Sequence, residues 1–241
     1  MSRVAIASAA VGLAVISLAC EGGPPTPAQP TVLDLGAAPA GAPGTAPSSK
    51  QGAVAADTPV VRFADGATVG GATLMRTPNG VSFKFSTSDL TPGHAYTLWI
   101  VIFNEPGNCS MPNQCAPTDL GNAAAKPDMM YAAGALSGGR DAATFAGRVA
   151  VGDVSGSINA PVGMPSFGLL DPYGAEIWLA VHDHGDKLPE FMPDMTTTIA
   201  GGCVNAGIGD PTWDLYEGPE FGRRGPNTCT TIQGAFFLPG M

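Results

Sequence analysis

The stretch HAYTLWIVIFN, residues 94–104, limits what this chain can become more than any other. Side chains alternate sides along a strand. Tyr96, Leu98, Ile100 and Ile102 therefore fall on one face, and Ala95, Trp99, Val101 and Phe103 on the other. A strand apolar on both faces belongs in the middle of a sheet and needs cover on both sides. A hairpin or a one-sided sheet cannot supply that, so the chain must build layers above and below this segment.

The surrounding residues supply strands for those layers. PVVRFAD, from Pro59, opens the series, and ATLMRTPNGVSFKFSTSDL reads as a hairpin turning around Pro78-Asn79-Gly80. MYAAGALSGG and ATFAGRVAVGD read as a second hairpin around Gly138-Gly139-Arg140. GAEIWLAVHDHG, residues 174–185, is another long strand, with Ile177, Leu179 and Val181 facing one way, and GAFFLPG closes the chain. Residues 186–200 have room for a single short helix, and no segment carries a sustained helical period. About seven strands at this spacing predict an all-β domain, an antiparallel β-sandwich of immunoglobulin-like or other Greek-key type, over residues 57–241.

Before this domain the composition changes. Residues 21–56 hold 7 Pro, 6 Gly and 9 Ala, and their only charges are Glu21, Asp34 and Lys50. Such a stretch buries too little apolar surface to offset its ordering entropy, so residues 20–56 are expected to form a disordered, flexible tether. Its ends would lie ~35 Å apart as a coil and ~110 Å apart in full polyproline extension. Upstream, Arg3 precedes an uncharged run, Val4–Ala19, that is shorter than the ~20 residues of a membrane-crossing helix. A basic residue, an apolar run and a small-residue end are the parts of a signal peptide, here residues 1–19.

The SLAC sequence that ends this run resembles the lipobox of bacterial lipoproteins, with Ser17 where that family usually has Leu. The resemblance implies that Cys20 becomes the first mature residue and carries lipid, which makes a bilayer the chain's first partner. Cysteine arithmetic agrees, because four of the five cysteines lie in the β-domain and pairing them leaves Cys20 over. Three pairings of the four are possible. Cys109–Cys115 and Cys203–Cys229 are favoured because each closes a loop in its own neighbourhood. On the chain-entropy model they would stabilise by about 2.4 and 3.5 kcal/mol. A zinc site built from these cysteines alone lacks the close C-x-x-C spacing.

Charge narrows the partners. The formal net charge is −9, and −10 once Arg3 is removed, with no run of like charge. Nothing in that pattern suits nucleic acid or an anionic membrane surface. The remaining partner would be an unidentified protein or envelope ligand.

Two places could carry function. His182 and His184 stand two apart at a strand end and so on one face, an arrangement that can present two imidazoles to copper or zinc. Met192 and Met195 follow closely, and His94 is a third ligand only if the two strand ends meet. Exported β-sandwich copper carriers use similar His/Met sets at other spacings. The second place is PTWDLYEGPEFGRRGPN, where Trp213, Tyr216, Phe221, Arg223 and Arg224 lie inside the expected Cys203–Cys229 loop. These residue types are enriched at binding hot spots. They would equally serve as cover for the doubly apolar strand.

Catalysis is not expected. There is no G-x-S-x-G turn and no phosphate-binding loop, and the carboxylates Asp171, Glu176, Asp183 and Glu190 form no distinctive pair. TPGHAYTLWIVIFN, the two-cysteine loop and LLDPYGAEIWLAVHDHG together resemble a family of exported, uncharacterised bacterial β-domain proteins. That resemblance spans about residues 70–203 and implies export but no activity. ATLMRTPNGVSFKFSTSDLTPGH is also similar to the CHRD-type β domains of secreted proteins, whose following histidine motif is missing here. The expectation is a cell-envelope lipoprotein whose domain is a binding or structural module, with no cofactor. The alternative is a copper- or zinc-binding domain using His182 and His184.

Overall fold

A computed structural model describes residues 52–137, 140–208 and 211–240. The expected signal peptide, Cys20 and all but the last few residues of the tether lie outside them. Eight strands follow in order: β1 (Val54–Arg62), β2 (Thr68–Thr77), β3 (Gly80–Thr87), β4 (His94–Phe103), β5 (Pro127–Leu136), β6 (Ala143–Ala150), β7 (Glu176–Asp186) and β8 (Thr230–Phe237). β1 reaches three residues into the stretch expected to be tether. No α-helix occurs among the described residues. Short 3-10 turns at Pro189–Phe191 and Asp194–Thr196 stand where one short helix was expected.

All eight strands belong to one antiparallel sheet in the order β5-β4-β7-β8-β1-β2-β3-β6. The sheet folds over on itself. Val60, Leu74, Phe85 and Phe145 from one half share an inner core with Leu98, Ile100, Leu179 and Phe237 from the other. The two layers of the sandwich are thus halves of a continuous sheet. They are joined where β1 meets β8 through only two paired positions, Val61 with Gly234 and Arg62 with Gln233. A Cβ on Gly234 at this corner would stand 2.6 Å from the Phe63 ring and 3.1 Å from the Leu179 carbonyl oxygen, so a side chain there would push Phe63 aside.

Local signals explain much of this. Pro78 and Asn79 form the two-residue loop between β2 and β3, with Thr77 paired to Gly80. Gly80 has φ +147°, and a Cβ on it would lie 2.2 Å from the Val149 carbonyl oxygen, so only glycine fits. The hairpin expected around Gly138-Gly139-Arg140 does not form. β5 pairs with β4 and β6 with β3, at opposite ends of the sheet order. Gly138 and Gly139 lie outside the described residues, and the strands on either side of them belong to different layers. The two edge strands nonetheless lie in contact.

β4 is buried at every position after His94. Its Tyr96, Leu98, Ile100 and Ile102 enter the inner core, while Trp99, Val101 and Phe103 enter a second, outer core with Met129 of β5 and Trp178 of β7. The loop after β4 covers that outer face with Cys109 and Ala125, and the long excursion between β7 and β8 adds Ile199, Trp213 and Phe221. Each cover segment is closed by a disulfide, Cys109–Cys115 and Cys203–Cys229, in the favoured pairing.

Candidate functional site

β7 carries the HDH segment. A register shift between Val181 and His182 in the β7–β8 ladder changes the pairing there, so that His182 lies opposite Thr231. His182 and His184 both turn to the outer face, beneath the excursion that holds Cys203 and Cys229. Their rings meet edge to face at 5.1 Å between centroids, and both are essentially without solvent contact.

Each ring is held by a hydroxyl from a neighbouring strand. The Thr231 hydroxyl donates to the Gly207 carbonyl at 3.1 Å, so it accepts from His182 Nδ1–H at 3.0 Å. His182 Nε2 is fully buried and meets no hydrogen-bond partner at normal geometry, with the Ile199 backbone close to the ring. His184 Nδ1–H donates to the Gly201 carbonyl at 2.9 Å, and its Nε2 accepts from the Thr97 hydroxyl at 3.0 Å. Thr97 in turn accepts from the Trp99 indole N–H at 2.8 Å. Cys229 Sγ lies 3.4 Å and Cys203 Sγ 4.0 Å from His184 Nδ1. Among the described residues, His182, His184 and Cys229 are the set whose donor atoms all fall within 4.8 Å of one another.

Burial governs the charge of this nest. It pushes the His182 pKa well below the usual imidazole value, helped by neighbouring His184 and opposed by the nearby Ile199 backbone. Burial likewise lowers His184 to about 4, against the opposing pull of the Gly201 carbonyl and of Asp183. Both imidazoles are neutral at ordinary pH. With the disulfide closed, His182 Nε2 is the one ring nitrogen of the nest that makes no hydrogen bond at normal geometry. A disulfide sulfur is not a thiolate, so this state does not offer the three or four donors that copper or zinc requires.

His94 is not the third ligand. The strand ends do meet, with His94 opposite Asp186. The His94 ring, however, turns to Asp183, whose side chain leaves β7 on the opposite face from the two histidines. His94 Nδ1 lies 2.9 and 3.0 Å from the Asp183 carboxylate oxygens. Met195 is buried against Gly202, and its sulfur accepts the Leu188 N–H at 3.4 Å, which is a packing role.

The aromatic loop packs inward. Trp213 and Phe221 are buried in the outer core, and Tyr216 stacks on Phe221 at 5.7 Å while its hydroxyl reaches the Val162 carbonyl. Arg224 is spent on the carbonyls of Tyr216 and Asp214, and Arg223 pairs with Asp194 at 2.7 Å. Trp213, Tyr216 and Phe221 thus cover the outer face of β4, while Arg223 remains exposed. Leu215, at 80% exposure, is the large apolar side chain that this loop presents to solvent, beside exposed Glu217, Glu220 and Arg223.

Two buried polar residues, Arg76 and Asp128, were not singled out from the sequence, and Glu176 was named there only among the carboxylates. Arg76 is fully buried on the inward face of β2, and its guanidinium donates to the carbonyls of Pro172, Ala175, Phe237 and Leu238. Its parity with Ala72 and Leu74 was the available signal. Glu176, one of the four carboxylates, accepts the Cys115 N–H and the Trp178 indole N–H, tying the first cover loop to β7; burial raises its pKa. Asp128 accepts the N–H groups of Phe167 and Gly168. These groups hold loops to the sheet.

No family model, no curated protein and no solved structure matches this chain. The kinship read from the TPGHAYTLW and DPYGAEI segments therefore rests on those motifs alone.

Proposed function

We propose that this chain is a bacterial cell-envelope lipoprotein: an exported β-domain held by a flexible tether to a lipid on Cys20, acting as a binding or structural module without catalysis. One observation carries the reading. Both domain disulfides are formed, which accounts for four of the five cysteines and leaves Cys20 as the odd one. Two disulfides are consistent with an exported protein. Among the described residues no helix is long and apolar enough to cross a membrane. The two buried, neutral histidines and the inward-packed aromatic side chains support a scaffold role over a catalytic one.

The test is detergent phase partitioning of the chain expressed in a bacterium. The wild type should enter the detergent-rich phase, and Cys20→Ser should move to the aqueous phase or remain unprocessed. Equal partitioning of the two chains after both have lost residues 1–19 would contradict the anchor.

A further inference from the structure

We propose that opening the Cys203–Cys229 bridge turns the nest beneath it into a four-coordinate Cys2His2 site for zinc(II), so that bridge and metal are alternative closures of the same cover. The proposal deepens the metal reading of His182 and His184 and does not depend on the lipid anchor.

The geometry is the first support. Zinc bonds of about 2.3 Å to sulfur and 2.0–2.1 Å to nitrogen at a tetrahedral angle place sulfur and nitrogen donors ~3.6 Å apart. The two sulfurs stand 3.4 and 4.0 Å from His184 Nδ1, on either side of that value, before any rearrangement. A ring nitrogen of His182 falls within 4.8 Å of the donor atoms of His184 and Cys229.

The second support is the unpartnered His182 Nε2. A buried ring nitrogen without a partner at normal geometry is uncommon, since nearly all such groups are paired. Thr231 holds the opposite nitrogen as N–H, the outer-shell arrangement that fixes the tautomer of a ligating imidazole. His184 needs one change, a shift of its proton from Nδ1 to Nε2. The Thr97 hydroxyl would then accept from Nε2–H where it now donates, and the Gly201 carbonyl would give up its present partner.

Charge is the third support. Two thiolates balance Zn2+, so a site with two neutral imidazoles carries no net charge in surroundings where an unpaired ion would be costly. Imidazoles alone would leave that charge uncompensated. The other bridge, Cys109–Cys115, has no histidine beside it, since His94 turns to Asp183 and the remaining two lie in the nest.

The chemistry balances with a dithiol or phosphine reductant. With a dithiol, the Cys203–Cys229 S–S bond breaks, the reductant's two thiols become a disulfide, and each Sγ takes one proton. With a phosphine, water supplies the oxygen of the phosphine oxide and the two protons. Zinc binding then releases both thiol protons to solvent.

The experiment uses the full chain in detergent, reduced by a phosphine under nitrogen, desalted and dialysed against zinc(II) beside the untreated chain. Metal per chain is measured by elemental analysis, and cysteines are alkylated and mapped by mass spectrometry. The expected result is one zinc per reduced chain and none in the oxidised chain, with Cys203 and Cys229 protected while Cys109 and Cys115 are labelled. His182→Ala should lose the zinc, and Cys109→Ser with Cys115→Ser should keep it. Should reduction unfold the chain, zinc is expected to restore the near-ultraviolet circular dichroism. No zinc on the reduced wild type, protection of Cys109 and Cys115 instead, equal zinc on the oxidised chain, or copper(I) taken up with zinc refused would each overturn the proposal.

Discussion

Replacing Arg76 by methionine keeps an unbranched apolar stem on β2 but removes the guanidinium that gathers four carbonyls at one end of the inner core. Those carbonyls belong to the turn before β7 (Pro172, Ala175) and to the end of β8 and its exit (Phe237, Leu238). The cation is costly to bury. Burial lowers its pKa to about 10, with Asp171 opposing, yet it remains charged at any physiological pH. Removing it therefore returns some desolvation energy, and swapping a whole buried ion pair for apolar residues is often neutral. Here the partners are main-chain oxygens that no substitution removes, and each acceptor left unpaired costs about 1–3 kcal/mol. Setting these against the recovered desolvation, the net loss should be about 3–5 kcal/mol, the range for breaking a buried charged interaction from one side. Against a typical total of about 5–15 kcal/mol this is large, and it corresponds to a fall in Tm on the order of 10 °C. Urea unfolding should show a lower midpoint at unchanged slope, equally at low and high salt because the group is out of reach of screening. Arg76→Lys should recover only part, since one ammonium cannot span four acceptors. A methionine variant as stable as the wild type would refute the reasoning, because the carbonyls would then need no donor.

Other consequences follow from the outer core. In the oxidised, metal-free chain the unfolded state takes up protons on His182 and His184 below about pH 6.5, while native His184 resists until about pH 4. Stability should thus be complete above pH 6.5 and fall as pH drops through that window, by about 3 kcal/mol from His184 alone, and His184→Gln should flatten the denaturation profile there. Deleting the Cys203–Cys229 bridge should cost about 3.5 kcal/mol and deleting Cys109–Cys115 about 2.4, measured with both cysteines of a pair replaced by alanine; the reverse order would deny the loop-entropy account. Trp213→Ala should destabilise by about 3–5 kcal/mol through the cavity it leaves, whereas Leu215→Ser should change stability by no more than about 0.5 kcal/mol. Both are readable by thermal unfolding.

The strands were legible where alternation was strong. β4 and β7 put the expected side chains into the inner core, and the Pro78-Asn79-Gly80 signal marked a true hairpin. Period and turn chemistry identify a strand and its reversal but not its partner, which is why β5 and β6 read as neighbours when each extends a different layer. The disulfides were readable because both are local in the chain. The same-face placement of His182 and His184 also followed from period two. What lay above them did not, because Cys229 arrives only after the long excursion closes over β7. The aromatic loop offered a binding surface and a cover as alternatives, and the buried outer face of β4 required the cover. Arg76 was hidden by the ordinary expectation that an arginine in a strand faces water.

The most direct measurement is the mass of the mature amino terminus, taken from protein extracted from bacterial membranes. The account predicts a chain that begins at Cys20, with its N-terminal peptide heavier by a thioether-linked diacylglycerol. A chain still carrying residues 1–19, or one starting at Cys20 with an unmodified thiol, would contradict it.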